Sequence, residues 1–202
     1  MLVSMQKPYW WYMEIPRTGS TSIDRGLRHV FTHAKAIYQK HWPVVPSGTL
    51  WFDGKSLVSI RNPYSRAVSC WQYFTKPGDF TFEAWLEQRL ADGFCDVYIE
   101  ARPQAFWFNL VSSWDIVLHQ ESLQTEFRTV VQELDSSLQG HAYDLQVYNS
   151  INGPWTNRVK CLTSRPHPWQ SYYTPKAKEL VQKLYAEDFE VLQEHYSKEF
   201  PS

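Results

Sequence analysis

Apolar and polar positions alternate along this chain in short blocks whose spacing switches between strand-like and helix-like. Residues 9–15 (YWWYMEI) are almost continuously apolar and aromatic, which predicts a buried strand closed by Pro16. A run of small residues follows, and helical spacing begins near Ser22 and continues toward His33. Residues 42–54 (WPVVPSGTLWFDG) hold two prolines and two glycines and predict loop. The block SLVSI at 56–60 is short and apolar, as an interior strand is; Asn62 and Pro63 then open a second helix, with Asn as N-cap and Pro in the first turn. Phe82 to Ala91 predicts a helix, Trp114 to His119 a short strand, and Leu123 to Leu134 a helix. Residues 140–172, rich in Gly, Pro, Asn and aromatics, predict a long irregular excursion. Thr174 and Pro175 start a last helix that runs to Tyr196, with Leu180, Leu184 and Leu192 in its apolar stripe.

Strands alternating with helices predict an α/β protein whose central, mostly parallel sheet is covered on both faces. The 202 residues carry no internal repeat and fit a single domain, 1–202. Ligands in such folds bind beyond the carboxyl ends of the strands, so the strand-to-helix junctions matter most.

Composition narrows this picture. With 43% hydrophobic and 20% charged residues the chain is globular, and an aromatic content of 16% with ten tryptophans leaves two uses for the rings, core or flat ligand platforms. Twenty basic against twenty-one acidic residues exclude a surface that tracks nucleic acid, so any anion site is local. Cys70, Cys95 and Cys161 form no C-x-x-C pair, which argues against a disulfide framework or thiolate zinc site and for a reducing compartment. No apolar run is long enough to span a bilayer and no signal-peptide pattern opens the chain, so the expectation is a soluble, cytoplasmic protein.

The first junction reads PRTGSTS at 16–22. Gly19 lets the backbone approach an anion, Ser20, Thr21 and Ser22 bring amide and hydroxyl donors, and Arg17 adds a full charge to the helix N-terminus. The alternative is an ordinary Ser/Thr-rich helix cap. It is not a Walker A loop, since the G-x-x-x-x-G-K-S/T pattern is absent. At the second junction, RNPYSRAVS at 61–69, Arg61 closes a strand and Ser69 lies two helical turns on, a spacing that brings both toward one anion. Here the alternative is a surface ion-pair arginine and a helix-filling serine.

Together the two junctions resemble the sulfotransferases that use 3′-phosphoadenosine 5′-phosphosulfate (PAPS), closest to the carbohydrate sulfotransferase branch and its small bacterial and viral relatives. Residues 16–22 match that family's 5′-phosphosulfate motif throughout, and residues 61–69 match its 3′-phosphate motif at every fixed position, including Arg66. Weaker likeness covers Pro103–Gln104, HQESL at 119–123 with Phe127, YYTP at 172–175 and YAEDFEVL at 185–192. The resemblance implies a three-layer, P-loop-like sulfotransferase fold. It implies that Arg17 holds the 5′-phosphate and steadies the leaving oxygen, that Thr18, Gly19, Ser20, Thr21 and Ser22 donate hydrogen bonds to the same group, and that Arg61 and Ser69 hold the 3′-phosphate. A late loop closing over the nucleotide falls at 160–169, with Lys160 and Arg165 as candidate ligands. The resemblance further implies PAP as the product and a hydroxyl, expected on a glycan, as the acceptor, and it implies no metal.

Sulfuryl transfer runs through a loose in-line transition state, so positioning and electrostatics carry most of the catalysis, and a base must take the acceptor's proton. Lys40–His41 resembles a pair found in related bacterial proteins, which makes His41 the expected base, with His29, His33 and Glu121 as rivals. His29 and His33 also have the spacing of a helical metal pair that His41 would complete, but the H-E-x-x-H pattern is absent because residue 30 is Val. Two other functions stand beside transfer: a non-catalytic nucleotide- or glycan-binding protein of the same fold, and a P-loop-like nucleotide kinase. Trp42, Trp51, Phe74, Trp107 and Trp155 are candidates to stack on sugar rings or to fill the core.

Overall fold

Four successive residues buried on both sides, Trp10–Met13, form a strand at the middle of a sheet, as the continuous apolar run requires. A computed structural model gives the structure and describes residues 1–37, 41, 54–75, 78–93, 96–139, 143, 145 and 168–196. The strands are β1 (Leu2–Ser4), β2 (Trp10–Met13), β3 (Ala34–Ala36), β4 (Lys55–Ile60) and β5 (Ile116–His119). The helices among the described residues are α1 (Ser20–Val30), α2 (Pro63–Phe74), α3 (Phe82–Asp92), α4 (Ala105–Phe108), α5 (Leu123–Leu134), α6 (Pro175–Leu184) and α7 (Ala186–Leu192). None of these helices is long and apolar enough to cross a membrane.

The sheet is ordered β3-β1-β2-β4-β5. β2, β4 and β5 run parallel, with Tyr12 opposite Leu57 and Ser59 opposite Leu118. β1 is antiparallel to both of its neighbours, so the sheet is mixed, where a mostly parallel one was expected. The difference lies in β1 and β3, three residues each, too short to show a period of two. Short strands at a sheet edge also limit unwanted pairing.

The chain forms two compact units, Met1–Ile60 with Phe106–Val147 and Arg61–Ala105 with Tyr148–Ser202. In the first, Leu2, Trp10, Tyr12, Leu57, Ile116 and Leu118 present one sheet face to Ile23 and Leu27 of α1 and to Phe127, Val130, Val131 and Leu134 of α5. α1 carries Gly26 where it meets α5: a Cβ there would lie 2.7 Å from the Phe127 ring. On the opposite face Trp11 packs on Trp114 at 5.2 Å between ring centroids. In the second unit α2, α3 and α6 enclose an aromatic core with Tyr64, Trp71, Phe82, Trp85 and Tyr185.

α2 starts as expected: Asn62 accepts the Tyr64 and Ser65 amides and Pro63 occupies the first turn. α6 starts at Pro175 behind the Thr174 cap, which accepts the Ala177 amide. The single last helix expected from the sequence is broken at Tyr185, which is buried and donates its hydroxyl to the Ala101 carbonyl at 3.1 Å. α7 restarts beyond it with Asp188 turned inward in its first turn.

Candidate functional site

In the first unit, β2 hands over to α1 through a turn that visits the left-handed region twice, at Arg17 (φ 66°) and Gly19 (φ 85°). For an L-residue such as Arg17 this conformation costs about 1–2 kcal/mol, which only an over-determined turn maintains. Gly19 is the N-cap of α1, and a Cβ there would meet Leu123 Cδ2 at 2.7 Å. The Ser/Thr cap considered from the sequence is therefore not how this helix begins: no side chain caps it. Gly19 O takes the Ser22 and Ile23 amides, while the Gly19 and Ser20 amides take no backbone acceptor among the described residues. An N-terminus of this kind favours an anion through its open donors and its dipole.

One predicted donor turns away from the turn's surface. Thr18 is fully buried and donates its hydroxyl to Ile15 O at 2.8 Å. Its oxygen lies 2.7 Å from Ser59 Oγ, which lies 2.7 Å from the Tyr12 hydroxyl. Each hydroxyl has one proton, so with Thr18's on Ile15 O, Ser59 donates to Thr18 and Tyr12 donates to Ser59. Burial pushes the Tyr12 phenol well above its ordinary range, in keeping with a neutral donor. Thr18 can thus serve an anion only through its backbone, and its side chain holds the turn to β2 and β4. Ser59→Ala would strand the Tyr12 hydroxyl in the core, and we expect a loss of about 1–3 kcal/mol in urea unfolding, part of it recovered in the double variant with Tyr12→Phe. Reading the sequence alone missed Tyr12 and Ser59; the available signal was a hydroxyl side chain inside each of two mostly apolar strand blocks.

His41, half-buried at φ 64°, places Nδ1 2.8 Å from the Glu14 carbonyl. A carbonyl can only accept, so Nδ1 carries a proton, and in the neutral ring the lone pair is then on Nε2, the arrangement an imidazole base requires. The His41 carbonyl in turn accepts from Trp107 Nε1 at 3.0 Å. Trp107 is fully buried, so it anchors the His41 backbone and is not a sugar platform. Phe74 packs against the core of the second unit, and Trp42, Trp51 and Trp155 lie outside the described residues.

The rival bases separate. α1 ends at Val30, so His29 is exposed on the helix while His33 lies beyond it, with Nε2 3.0 Å from Ser4 Oγ. The two histidines do not share a helix face, and among the described residues no group of three His, Cys, Asp or Glu side chains is placed to hold a metal. Glu121 is exposed; the carboxylate that ties down the end of β5 is Glu126, which accepts the His119 amide at 2.5 Å and faces His119 Nδ1 at 3.0 Å.

In the second unit, Arg61 follows directly on β4. Its Nε donates to Ser65 Oγ at 2.9 Å, and Ser65 donates to Asn62 O at 3.1 Å. Ser69 is buried one turn beyond Ser65, so Arg61, Ser65 and Ser69 follow one line at spacings of four. The sequence reading paired Arg61 with Ser69 and missed Ser65, which occupies the intervening step of the same spacing. Arg66, a matched position of the 3′-phosphate motif, is fully buried and donates Nη2 to Glu100 O at 3.1 Å. Burial pushes the Asp188 carboxyl up, and the nearby Arg66 charge and the Ala105 amide oppose that. Lys160 and Arg165 lie outside the described residues.

No family model matches the chain, and no curated protein or solved structure matches it.

Proposed function

We propose that this protein is a PAPS-dependent sulfotransferase of the P-loop-like, three-layer kind, acting on an acceptor hydroxyl of a carbohydrate. The observation that carries the reading is the start of α1: a helix N-terminus without a side-chain cap, opened by a left-handed glycine, directly after a central parallel strand and bearing the sequence PRTGSTS. β2 and β4 are parallel neighbours and end on the same edge of the sheet, and each is followed by one of the two motif segments.

In this reading the 5′-phosphosulfate is held by Arg17, by the amides of residues 18–21 and by the hydroxyls of Ser20, Thr21 and Ser22. Arg61 and Ser69 hold the 3′-phosphate. The acceptor O–H gives its proton to His41 Nε2 as the new O–S bond forms. The bond from sulfur to the 5′-phosphate oxygen breaks, and PAP leaves with the extra negative charge that Arg17 stabilises. No step calls for a metal. An odd number of cysteines with no C-x-x-C spacing supports a reducing compartment such as the cytoplasm.

Incubation with labelled PAPS and a panel of glycan, phenolic and lipid hydroxyls is expected to label a glycan. Calorimetric titration with PAP is expected to show saturable binding, and its absence would defeat the proposal. PAP binding without transfer to any acceptor would favour the non-catalytic nucleotide-binding protein. The nucleotide kinase accounts less well for the chain, since the Walker lysine is absent and RNPYSRAVS has no role in it.

A further inference from the structure

We infer that Gln104 and Asp188 are positioning residues for Arg61, fixing its backbone so that its side chain is presented to a 3′-phosphate. The inference rests on the reading of Arg61 as a donor ligand given above.

Arg61 sits one residue beyond the last ladder pair of β4, Ile60 with His119. A peptide at the end of a buried strand must find partners for its N–H and C=O elsewhere. Gln104 supplies both: its Oε1 accepts the Arg61 amide at 2.9 Å, and its Nε2 donates to the Arg61 carbonyl at 2.8 Å. One side-chain amide therefore stands in for a neighbouring strand at the arginine. The orientation of that amide is itself fixed, because Nε2 also faces Asp188 Oδ2 at 3.4 Å while Asp188 Oδ1 accepts the Ala105 amide at 2.8 Å. Gln104 and Asp188 are both fully buried.

An apolar residue would fill the volume of Gln104 without the cost of burying a polar group beside a carboxylate. What the polar pair adds is a defined position and direction for one peptide, that of Arg61. Its side chain is then set by Nε on Ser65. A charge-assisted contact to a phosphate depends steeply on such placement.

The test compares two ligands that differ only in the 3′-phosphate: PAP and adenosine 5′-monophosphate. Wild type and Gln104→Met, close in volume but without the amide, are titrated calorimetrically with each. The expected result is a loss of about tenfold in PAP affinity with the 5′-monophosphate affinity unchanged. A role in stability alone would lower both affinities together or neither. If Gln104→Met does not fold, Asp188→Asn is used. It keeps the volume but turns an amide donor toward either Gln104 or Ala105, and it is expected to shift the ratio of affinities in the same direction. An unchanged ratio in the folded variant overturns the inference while leaving the sulfotransferase reading intact. A wild type that binds no PAP overturns the reading itself and the inference with it.

Discussion

Arg17→Gly is expected to yield a protein at least as stable as its parent and about 10²–10³ slower in sulfuryl transfer. The two effects have separate causes. Arg17 is held at φ 66°, where an L-residue is strained and glycine is not, so the backbone change is relieving, by up to about 1 kcal/mol. The guanidinium, in contrast, is the full positive charge of the first junction. In a loose transition state the bridging oxygen gains negative charge as the S–O bond lengthens, and removing a preorganised donor at such a position typically has an effect of this size. A residue that is kept at a conformational cost and whose removal relieves the fold is one retained for its chemistry. Thermal unfolding and labelled-sulfate transfer, measured on the same preparation, read the two effects. A variant that is less stable and fully active would remove Arg17 from the donor site.

His41→Asn is expected to lower transfer by about 10²–10⁴ while leaving PAP affinity unchanged. Asparagine is chosen because the site imposes φ 64°, a conformation it tolerates better than alanine, and because its amide can donate to the Glu14 carbonyl as Nδ1 does. The backbone contact to Trp107 is preserved and the Nε2 lone pair is lost. The proton-transfer step is thereby tested apart from the backbone position of residue 41. Unchanged transfer would exclude His41 as the base without touching the donor site. Loss of PAP binding would mean that the backbone at residue 41, rather than the base, had been disturbed.

Much of the fold was legible because its signals are local. β2, β4, β5, α1, α2, α3 and α5 all appear within a few residues of where periodicity and caps put them, and Asn62–Pro63 marks the start of α2 to the residue. The elements that went unseen are those whose cause is distant. β1 and β3 exist because an antiparallel neighbour supplies their hydrogen bonds, and three residues carry no period of their own. The break at Tyr185 has no helix-breaking residue; it accompanies a buried ring hydroxyl bonded to Ala101, far off in sequence.

The candidate site divides in the same way. The order of Gly19, Ser20, Thr21, Ser22, Arg61 and Ser69 could be read directly, since each lies within one strand-to-helix junction. The side chains that hold those junctions could not, because Ser59 acts on Thr18 and Gln104 on Arg61 across many residues. The Thr18 hydroxyl shows this: its neighbours in sequence are donors, but its partner in space is a strand. Nor does helical position alone reveal that Arg66 reaches the Glu100 carbonyl.

The line of hydroxyls from Tyr12 through Ser59 to Thr18 also acts as a proofreading device for the sheet. Side chains along a strand alternate between faces, so a slip of β4 by one residue would bring Val58 to the place of Ser59. The Tyr12 hydroxyl would then be buried beside a side chain that can neither give nor take a proton, at a cost of about 1–3 kcal/mol. An all-apolar β4 would pack almost equally well in either alignment. The observed pairing satisfies all three hydroxyls, so the feature that anchors the turn also disfavours the slipped sheet.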